Sequence, residues 1–240
     1  MVNSPIAPDE LVVRVSRSHA RLLELVGRLD DREKDSPSAL PDWTRGHVLQ
    51  HLADNARAFE RQALAAAQGE LVDMYDGGQA ERDQSIDQGA ARPVADLRED
   101  LILAQQALVD TWGRLTPADW QRTVRFRHAR VLDTALARWR EAEIHAVDLA
   151  VGYRPRDWPR EFALHALDFL SARAPVGTRL ALRATDDAFS RVLGAGTEVE
   201  VSGAVRDLAA WMAGRSTDER LETTGSHVPD LGPWPPDPAE

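Results

Sequence analysis

The feature that most limits the fold of this chain is a helical repeat of apolar side chains in four stretches of about the first 155 residues. In such a stretch, apolar residues recur at steps of three and four, which places them along one face of an α-helix. The repeat in the first stretch consists of Leu11, Val15, Leu22, Leu25, Val26 and Leu29. Because each helix must bury its apolar face against the others, the pattern predicts a four-helix bundle.

Residues that start and stop helices give the bounds of the other three predicted helices. Thr44 can cap the second helix, Thr116-Pro117 breaks the third, and Gly152 is typical of the position after a helix C-terminus. The three helices are predicted from Thr44 to Gly69, from about Pro93 to Leu115 and from about Val131 to Leu149. The paired glycines of Met74–Gly78 predict a loop between the helix that ends at Gly69 and the helix that begins near Pro93. This loop is polar enough to border a site.

The pattern changes after about Trp158. Alternation of apolar and polar residues predicts strands in Arg179–Ala184 and Glu198–Val201, and a strand is possible near Leu221–Thr224. Short helices are predicted over Phe162–Arg173 and Val205–Met212. We therefore expect an α+β protein of two domains: a helical bundle over residues 1–155 and a small α+β domain over residues 156–240.

Composition excludes several classes of partner and of mechanism. A net charge of -10 and a pI near 5.2 argue against nucleic-acid binding, which needs a basic surface. No apolar run approaches the roughly 20 residues that cross a bilayer, and no secretory signal is recognisable, so we expect no membrane association and a cytoplasmic location. The chain has no cysteine, so any thiolate in its chemistry must come from a small molecule.

Two helices carry side chains suited to binding a metal. Glu141, His145 and Asp148 lie four and three residues apart, on one helical face, and His47 and His51 are likewise four residues apart. A catalytic zinc takes three protein ligands and leaves a position open, and two histidines with one glutamate form a known set. His51, Glu141 and His145 could supply that set, with Asp148 orienting a ring N–H. Taken alone, each pair is more commonly a solvated surface pair.

Five segments carry a resemblance to a known family. The longest is Asp42–Ala56 (DWTRGHVLQHLADNA), and the next is Trp139–Leu149 (WREAEIHAVDL). The others are Met74-Tyr75, Arg82–Arg92 and Trp211–Ser216. Together these segments resemble the mycothiol-dependent maleylpyruvate isomerases, which belong to the DinB-like superfamily of helical bundles. The weakest correspondence lies between Phe162 and Ala195.

The resemblance implies both a site and a reaction. It implies that His51, Glu141 and His145 bind a divalent metal, zinc by preference, and that His47 packs beside the site. It also implies that Arg215 helps to build the active site and contacts the thiol cofactor. We list Arg215, Arg82 and Asp148 as catalytic candidates, and Arg82 is the weaker of the two arginines.

The implied reaction is the conversion of maleylpyruvate to fumarylpyruvate, in the gentisate pathway of aromatic degradation. Mycothiol, a low-molecular-weight thiol, adds to the double bond, the resulting single bond rotates, and the thiol leaves. We expect a monomer or weak dimer whose thiol pocket lies between the two domains.

Three other functions stay open. A mycothiol S-transferase would need the same metal and thiol but would release the conjugate. A non-catalytic zinc-stabilised module that binds a partner protein would need a fourth protein ligand, for which His47 is the candidate. A metal-dependent hydrolase would need a general base, for which Glu143 and Asp148 are the candidates.

Overall fold

The computed structural model describes residues 6–235, which fall into two compact units with a boundary between Val151 and Gly152. The first unit is helical, and the second combines helices with a four-stranded sheet. The predicted α+β class, with a helical bundle before a small α+β region, is therefore confirmed. We keep residues 1–155 and 156–240 as the proposed domain bounds, although residues 1–5 and 236–240 lie outside the described part of the chain.

Six α-helices are described in the first unit: α1 (Pro8–Val26), α2 (Asp31–Lys34), α3 (Arg45–Gln68), α4 (Gly78–Ala90), α5 (Val94–Trp112) and α6 (Val131–Asp148). Two short 3-10 turns, Asp119–Gln121 and Phe126–His128, lie between α5 and α6. Helix α3 packs against α4, α5 and α6, while α1 packs against α5 and α6. The four long helices α1, α3, α5 and α6 correspond to the four predicted from the apolar repeat.

Helix α3 shows how local sequence sets the ends of a bundle helix. The hydroxyl of Thr44 accepts a hydrogen bond from the backbone N–H of His47, as an N-cap should. At the other end Gly69 takes a left-handed backbone conformation with φ of 81°. Between these residues Val48, Leu49 and Leu52 are fully buried. Both ends of α3 therefore lie within one residue of the predicted bounds.

Helix α4 was not predicted from the sequence. It begins at Gly78, the last residue of the predicted loop, and of its residues only Ile86, Gly89 and Ala90 are buried. A helix with so few buried apolar positions produces almost no helical repeat. Its packing on α3 depends instead on close approach, because a Cβ on Gly46 would lie 2.6 Å from the carbonyl oxygen of Ala90.

The end of α6 differs slightly from the predicted one. The helix ends at Asp148, and the chain turns through a left-handed conformation at Ala150, where φ is 54°. Gly152, the predicted stop residue, follows with a φ of 97° and so lies beyond the turn. The guanidinium of Arg45 binds this turn, donating to the carbonyls of Leu149 and Ala150.

The second unit is built around a sheet of strand order β2-β1-β3-β4. Its strands are β1 (Thr178–Ala184), β2 (Ser190–Leu193), β3 (Thr197–Gly203) and β4 (Glu222–Thr223). Strands β1 and β3 are parallel, with Leu180 opposite Val199, and the other two pairings are antiparallel. Strand β2 was not predicted from the sequence.

Two helices pack together in this unit. They are α7 (Arg160–Phe169), which continues into a 3-10 turn at Leu170–Arg173, and α8 (Val205–Met212), which also packs on β1 and β3. The bounds of α8 are those predicted from the sequence. Within the described residues, no helix combines the length and the apolar character needed to span a bilayer.

Candidate metal centre

Three side chains from two helices converge at one point in the bundle. His51 lies on α3, and Glu141 and His145 lie one turn apart on α6. Glu141 Oε2 is 2.9 Å from His51 Nε2 and 3.3 Å from His145 Nε2. One ligand atom from each residue lies within 4.8 Å of the other two. Among residues 6–235, no other group of three His, Asp or Glu side chains converges in this way.

A buried carboxylate holds the ring of His145 in place. Asp148 Oδ2 lies 2.8 Å from His145 Nδ1, and the side chain of Asp148 has no exposed surface. Because an ionised carboxylate can only accept a hydrogen bond, Nδ1 of His145 carries a proton and donates a hydrogen bond to Asp148. The other ring nitrogen, Nε2, then faces Glu141 and His51, which is the orientation of a histidine that binds a metal.

Charge and burial shift the pKa values of the three side chains. Burial lowers the pKa of His145, but its hydrogen bonds to Asp148 and Glu141 outweigh this effect and raise the pKa to about 9. Burial raises the pKa of Glu141, yet hydrogen bonds from His145 and His51 bring it well below its usual value. Burial lowers the pKa of His51. A cation that binds here must therefore displace a proton from His145.

The donor set fits a divalent cation. Two imidazole nitrogens and one carboxylate oxygen are a known ligand set for catalytic zinc, and three protein ligands leave one position open. The same nitrogen and oxygen donors also bind other first-row divalent ions, and the affinity depends on which of these metals is bound.

Helix α4 places Arg82 against the back of the His51 ring. The guanidinium Nη2 of Arg82 lies 3.3 Å from His51 Nδ1, and Nη1 lies 2.9 Å from Asp83. Arginine has only donors, so His51 Nδ1 accepts, and the proton of the neutral ring is on Nε2, facing Glu141. If His51 held a cation through Nε2, that proton would have to move to Nδ1, and Arg82 would then lose its contact with His51.

Two aromatic side chains lie close to the centre. The ring of Trp43 lies 5.6 Å from that of His51, centroid to centroid. Tyr75 is half-buried. Burial raises the pKa of its phenol, and the charge of Arg82 offsets only part of this rise. Helical spacing could not identify either residue, because Trp43 precedes α3 and Tyr75 precedes α4.

The chain matches a known family model over residues 15–150, more than half of its length. The family is described as the mycothiol maleylpyruvate isomerase N-terminal domain. The chain belongs to this family. The matched range contains α3, α4 and α6 and therefore all three side chains of the metal centre.

Solved structures extend the likeness beyond the family domain. The crystal structure of a mycothiol-dependent maleylpyruvate isomerase is 25% identical in sequence, with a TM-score of 0.86 over 95% of this chain and 98% of that one. A histidine-to-alanine mutant of a mycothiol-dependent maleylpyruvate isomerase has the same TM-score and coverage at 24% identity. No curated protein matches the chain by sequence.

In this member of the isomerase family, His47 is separate from the metal centre. Its Nδ1 lies 2.8 Å from the hydroxyl of Thr44, its ring stacks on Trp43, and its Nε2 is 3.8 Å from Asp87. His47 thus belongs to the start of α3 and is not one of the converging ligands.

Glu143, the candidate base of a hydrolase, is directed to a different part of the bundle. Its carboxylate accepts hydrogen bonds from Ser18 at 2.5 Å and from Arg21 at 2.6 Å, both on α1. Two residues along a helix correspond to about 200° of rotation, so Glu143 and Glu141 lie on nearly opposite faces of α6.

Arg215 lies in the second unit, just after α8. Gly214, with a φ of 68°, ends this helix, and Arg215 Nη1 donates to the carbonyl of Ala213 at 2.8 Å. The indole of Trp234 lies against two guanidinium groups, that of Arg215 at 5.9 Å and that of Arg173 at 5.4 Å. The sequence could not reveal this contact with Trp234.

Proposed function

We propose that this chain is a thiol-dependent cis–trans isomerase that converts maleylpyruvate to fumarylpyruvate, with zinc as the metal and mycothiol as the thiol. The observation that carries this proposal is the convergence of His51, Glu141 and His145 within the family domain. The 25% identical isomerase, which covers nearly the whole chain, supports the same activity.

The chain supplies the ligands and fixes their orientation. His51 and His145 would bind the cation through Nε2, and Glu141 would bind it through a carboxylate oxygen. Asp148 keeps the proton of His145 on Nδ1, so that Nε2 is free to bind. A cation held in this way would lower the pKa of a thiol at its open position and so supply a thiolate at neutral pH.

An external thiol is required because the chain has no cysteine. Only the thiolate form of sulfur is a good nucleophile. Its reversible addition to the double bond of a conjugated keto acid leaves a single bond, which can rotate before the same sulfur departs. The thiol is therefore regenerated in each turnover.

The substrate is a dianion, and addition places further negative charge on its carbonyl oxygen. Guanidinium groups bind carboxylates in bidentate geometry and stabilise such charge. Arg82 borders the centre, where its guanidinium contacts His51, and it would be freed from this contact if a cation bound, so it is one candidate for this role. Arg215 is the other, contributed by the second unit.

The proposal is tested by incubating the zinc-loaded protein with maleylpyruvate and a catalytic amount of mycothiol. Formation of fumarylpyruvate while the thiol concentration stays constant is the expected result. Stoichiometric loss of thiol would instead identify an S-transferase, and the absence of any product would reject the proposed reaction. Omission of mycothiol is the control, and it should abolish turnover.

A further inference from the structure

Arg138 is a fully buried guanidinium on α6, one turn before Glu141. Its Nη1 donates to the backbone carbonyl of Leu52 and to the side-chain oxygen of Asn55, both at 2.9 Å. Its Nε donates to His19 Nε2 at 3.0 Å. One side chain of α6 therefore binds both α3 and α1, and on α3 it binds the residue next to His51.

The bond to Leu52 acts on the backbone that carries a metal ligand. A carbonyl oxygen inside a helix already accepts a hydrogen bond from the N–H of the residue four positions later. The guanidinium of Arg138 therefore donates to the second lone pair of the Leu52 oxygen. Asn55 lies almost one turn further along α3, so the two acceptors fix both the separation of α3 from α6 and their relative rotation. His51 lies on one of these helices, and Glu141 and His145 lie on the other.

The charge of Arg138 makes a purely stabilising role unconvincing. Within residues 6–235, no carboxylate lies at ion-pair distance from this guanidinium, and its Nη2 has no hydrogen-bond partner. Burial lowers the pKa of Arg138 to about 10, so the group remains charged at neutral pH. Even a buried ion pair can often be replaced by well-packed apolar side chains without loss of stability, so burial of this charge is weak evidence for a stabilising role.

We propose that Arg138 is a positioning residue that sets the distance between α3 and α6 and thereby preorganises the three-ligand cation site. It contacts neither substrate nor cation and acts through the backbone of Leu52. Supporting interactions of this kind typically change metal affinity by about 10- to 100-fold. This inference rests on the cation site of the proposed function but not on the reaction.

The test is a titration of the cation-free full-length protein with Zn²⁺ and with Co²⁺ against a chromophoric chelator. Arg138→Met removes the charge and all three donated bonds, whereas Arg138→Lys keeps the charge but not the forked geometry. We expect Arg138→Met to weaken binding by about 10- to 100-fold and Arg138→Lys to lie between it and the wild type. The visible spectrum of bound Co²⁺ should change in both variants, because it reports coordination geometry and not stability.

Arg98→Met is the matched control. Arg98 on α5 donates to two backbone carbonyls of the segment at the end of α1, those of Val26 and Leu29, but α5 carries no proposed ligand. This variant should lose thermal stability and keep its affinity for Zn²⁺ within about twofold. If Arg138→Met does not fold, Arg138→Lys still allows the affinity and the Co²⁺ spectrum to be measured.

Unchanged affinity and an unchanged Co²⁺ spectrum in the Arg138 variants would overturn the inference, as would an equal loss in Arg98→Met. These outcomes are distinct from failure of the proposed function. A wild-type protein that binds zinc but does not isomerise maleylpyruvate would reject the reaction and leave the role of Arg138 standing.

Discussion

At the scale of single residues, Glu141 is the group on which the centre depends, since one of its oxygens lies near both imidazoles. Its spacing from His145 could be read directly from the sequence, because four residues correspond to about one helical turn. The contact between Asp148 and His145 also follows from local spacing. The approach of His51 could only be inferred from the expectation of a bundle and from the family resemblance.

Glu141→Gln should abolish tight zinc binding, because it removes the anionic ligand and leaves a weaker neutral donor. We expect zinc affinity to fall by more than about 100-fold, beyond the usual effect of changing a supporting residue. Glu143→Gln is the matched control, since this carboxylate also lies on α6 but is buried and binds Ser18 and Arg21. Metal analysis after dialysis measures both variants, and equal zinc content in the two would remove Glu141 from the ligand set.

Arg215→Ala should lower kcat/KM for maleylpyruvate by about 100-fold or more, the scale for losing one preorganised charge-stabilising group. Zinc content should not change, because Arg215 is not a proposed ligand. Steady-state kinetics with saturating mycothiol provide the measurement. Unchanged turnover would exclude Arg215 from the reaction.

His19 makes the stability of the cation-free protein depend on pH. Burial, and then the charge of Arg138, lower the pKa of His19 well below 6.5. The unfolded chain therefore binds more protons at this position than the folded chain does, and the free energy of unfolding falls as the pH drops below about 6.5. The contribution of one such group has a slope of at most about 1.4 kcal/mol per pH unit.

His19→Gln removes this titration while keeping an acceptor for Arg138. The free energy of unfolding of the wild type should therefore decline more steeply between pH 7 and pH 5 than that of the variant. Urea unfolding with chelator present, at each pH, gives the two curves. Parallel curves would mean that His19 does not titrate in this way.

At the scale of elements, strongly amphipathic helices were predictable and weakly amphipathic ones were not. Helices α3 and α6 bury many apolar residues, and their bounds follow from the repeat and from Thr44. Helix α4 buries three residues, so its existence and the position of Arg82 could not be predicted. Strand β2 was missed for a similar reason, since its four residues include none that is buried.

Gly46→Ala should loosen α4, because the added Cβ would lie 2.6 Å from the carbonyl oxygen of Ala90 and the backbone must shift. We expect a loss of about 1–3 kcal/mol in the free energy of unfolding, the usual effect of overpacking. We also expect a lower kcat/KM, because α4 carries Arg82. Gly113→Ala is the control, since its nearest neighbours lie at 3.5 and 3.6 Å. Equal stability of the two variants would contradict the close packing of α4 on α3.

At the scale of the whole molecule, the sequence indicated the order of the two architectures because the apolar repeat changes period near Trp158. The apolar repeat could not assign Arg215 to the chemistry, since the residue belongs to a different unit from the three ligands. That assignment came from the family resemblance and stays a proposal. The fold itself is shared with the isomerase structure over 95% of the chain.

If two helices of the bundle hold a cation with one position left for an imported sulfur, mycothiol must enter the coordination sphere of the metal. Zinc K-edge X-ray absorption of the loaded protein, with and without mycothiol, measures this. We expect nitrogen and oxygen neighbours at about 2.0–2.2 Å and, on addition of mycothiol, one sulfur at about 2.3 Å. A zinc ion that keeps four nitrogen or oxygen ligands and gains no sulfur would show that the thiol is not activated at this site.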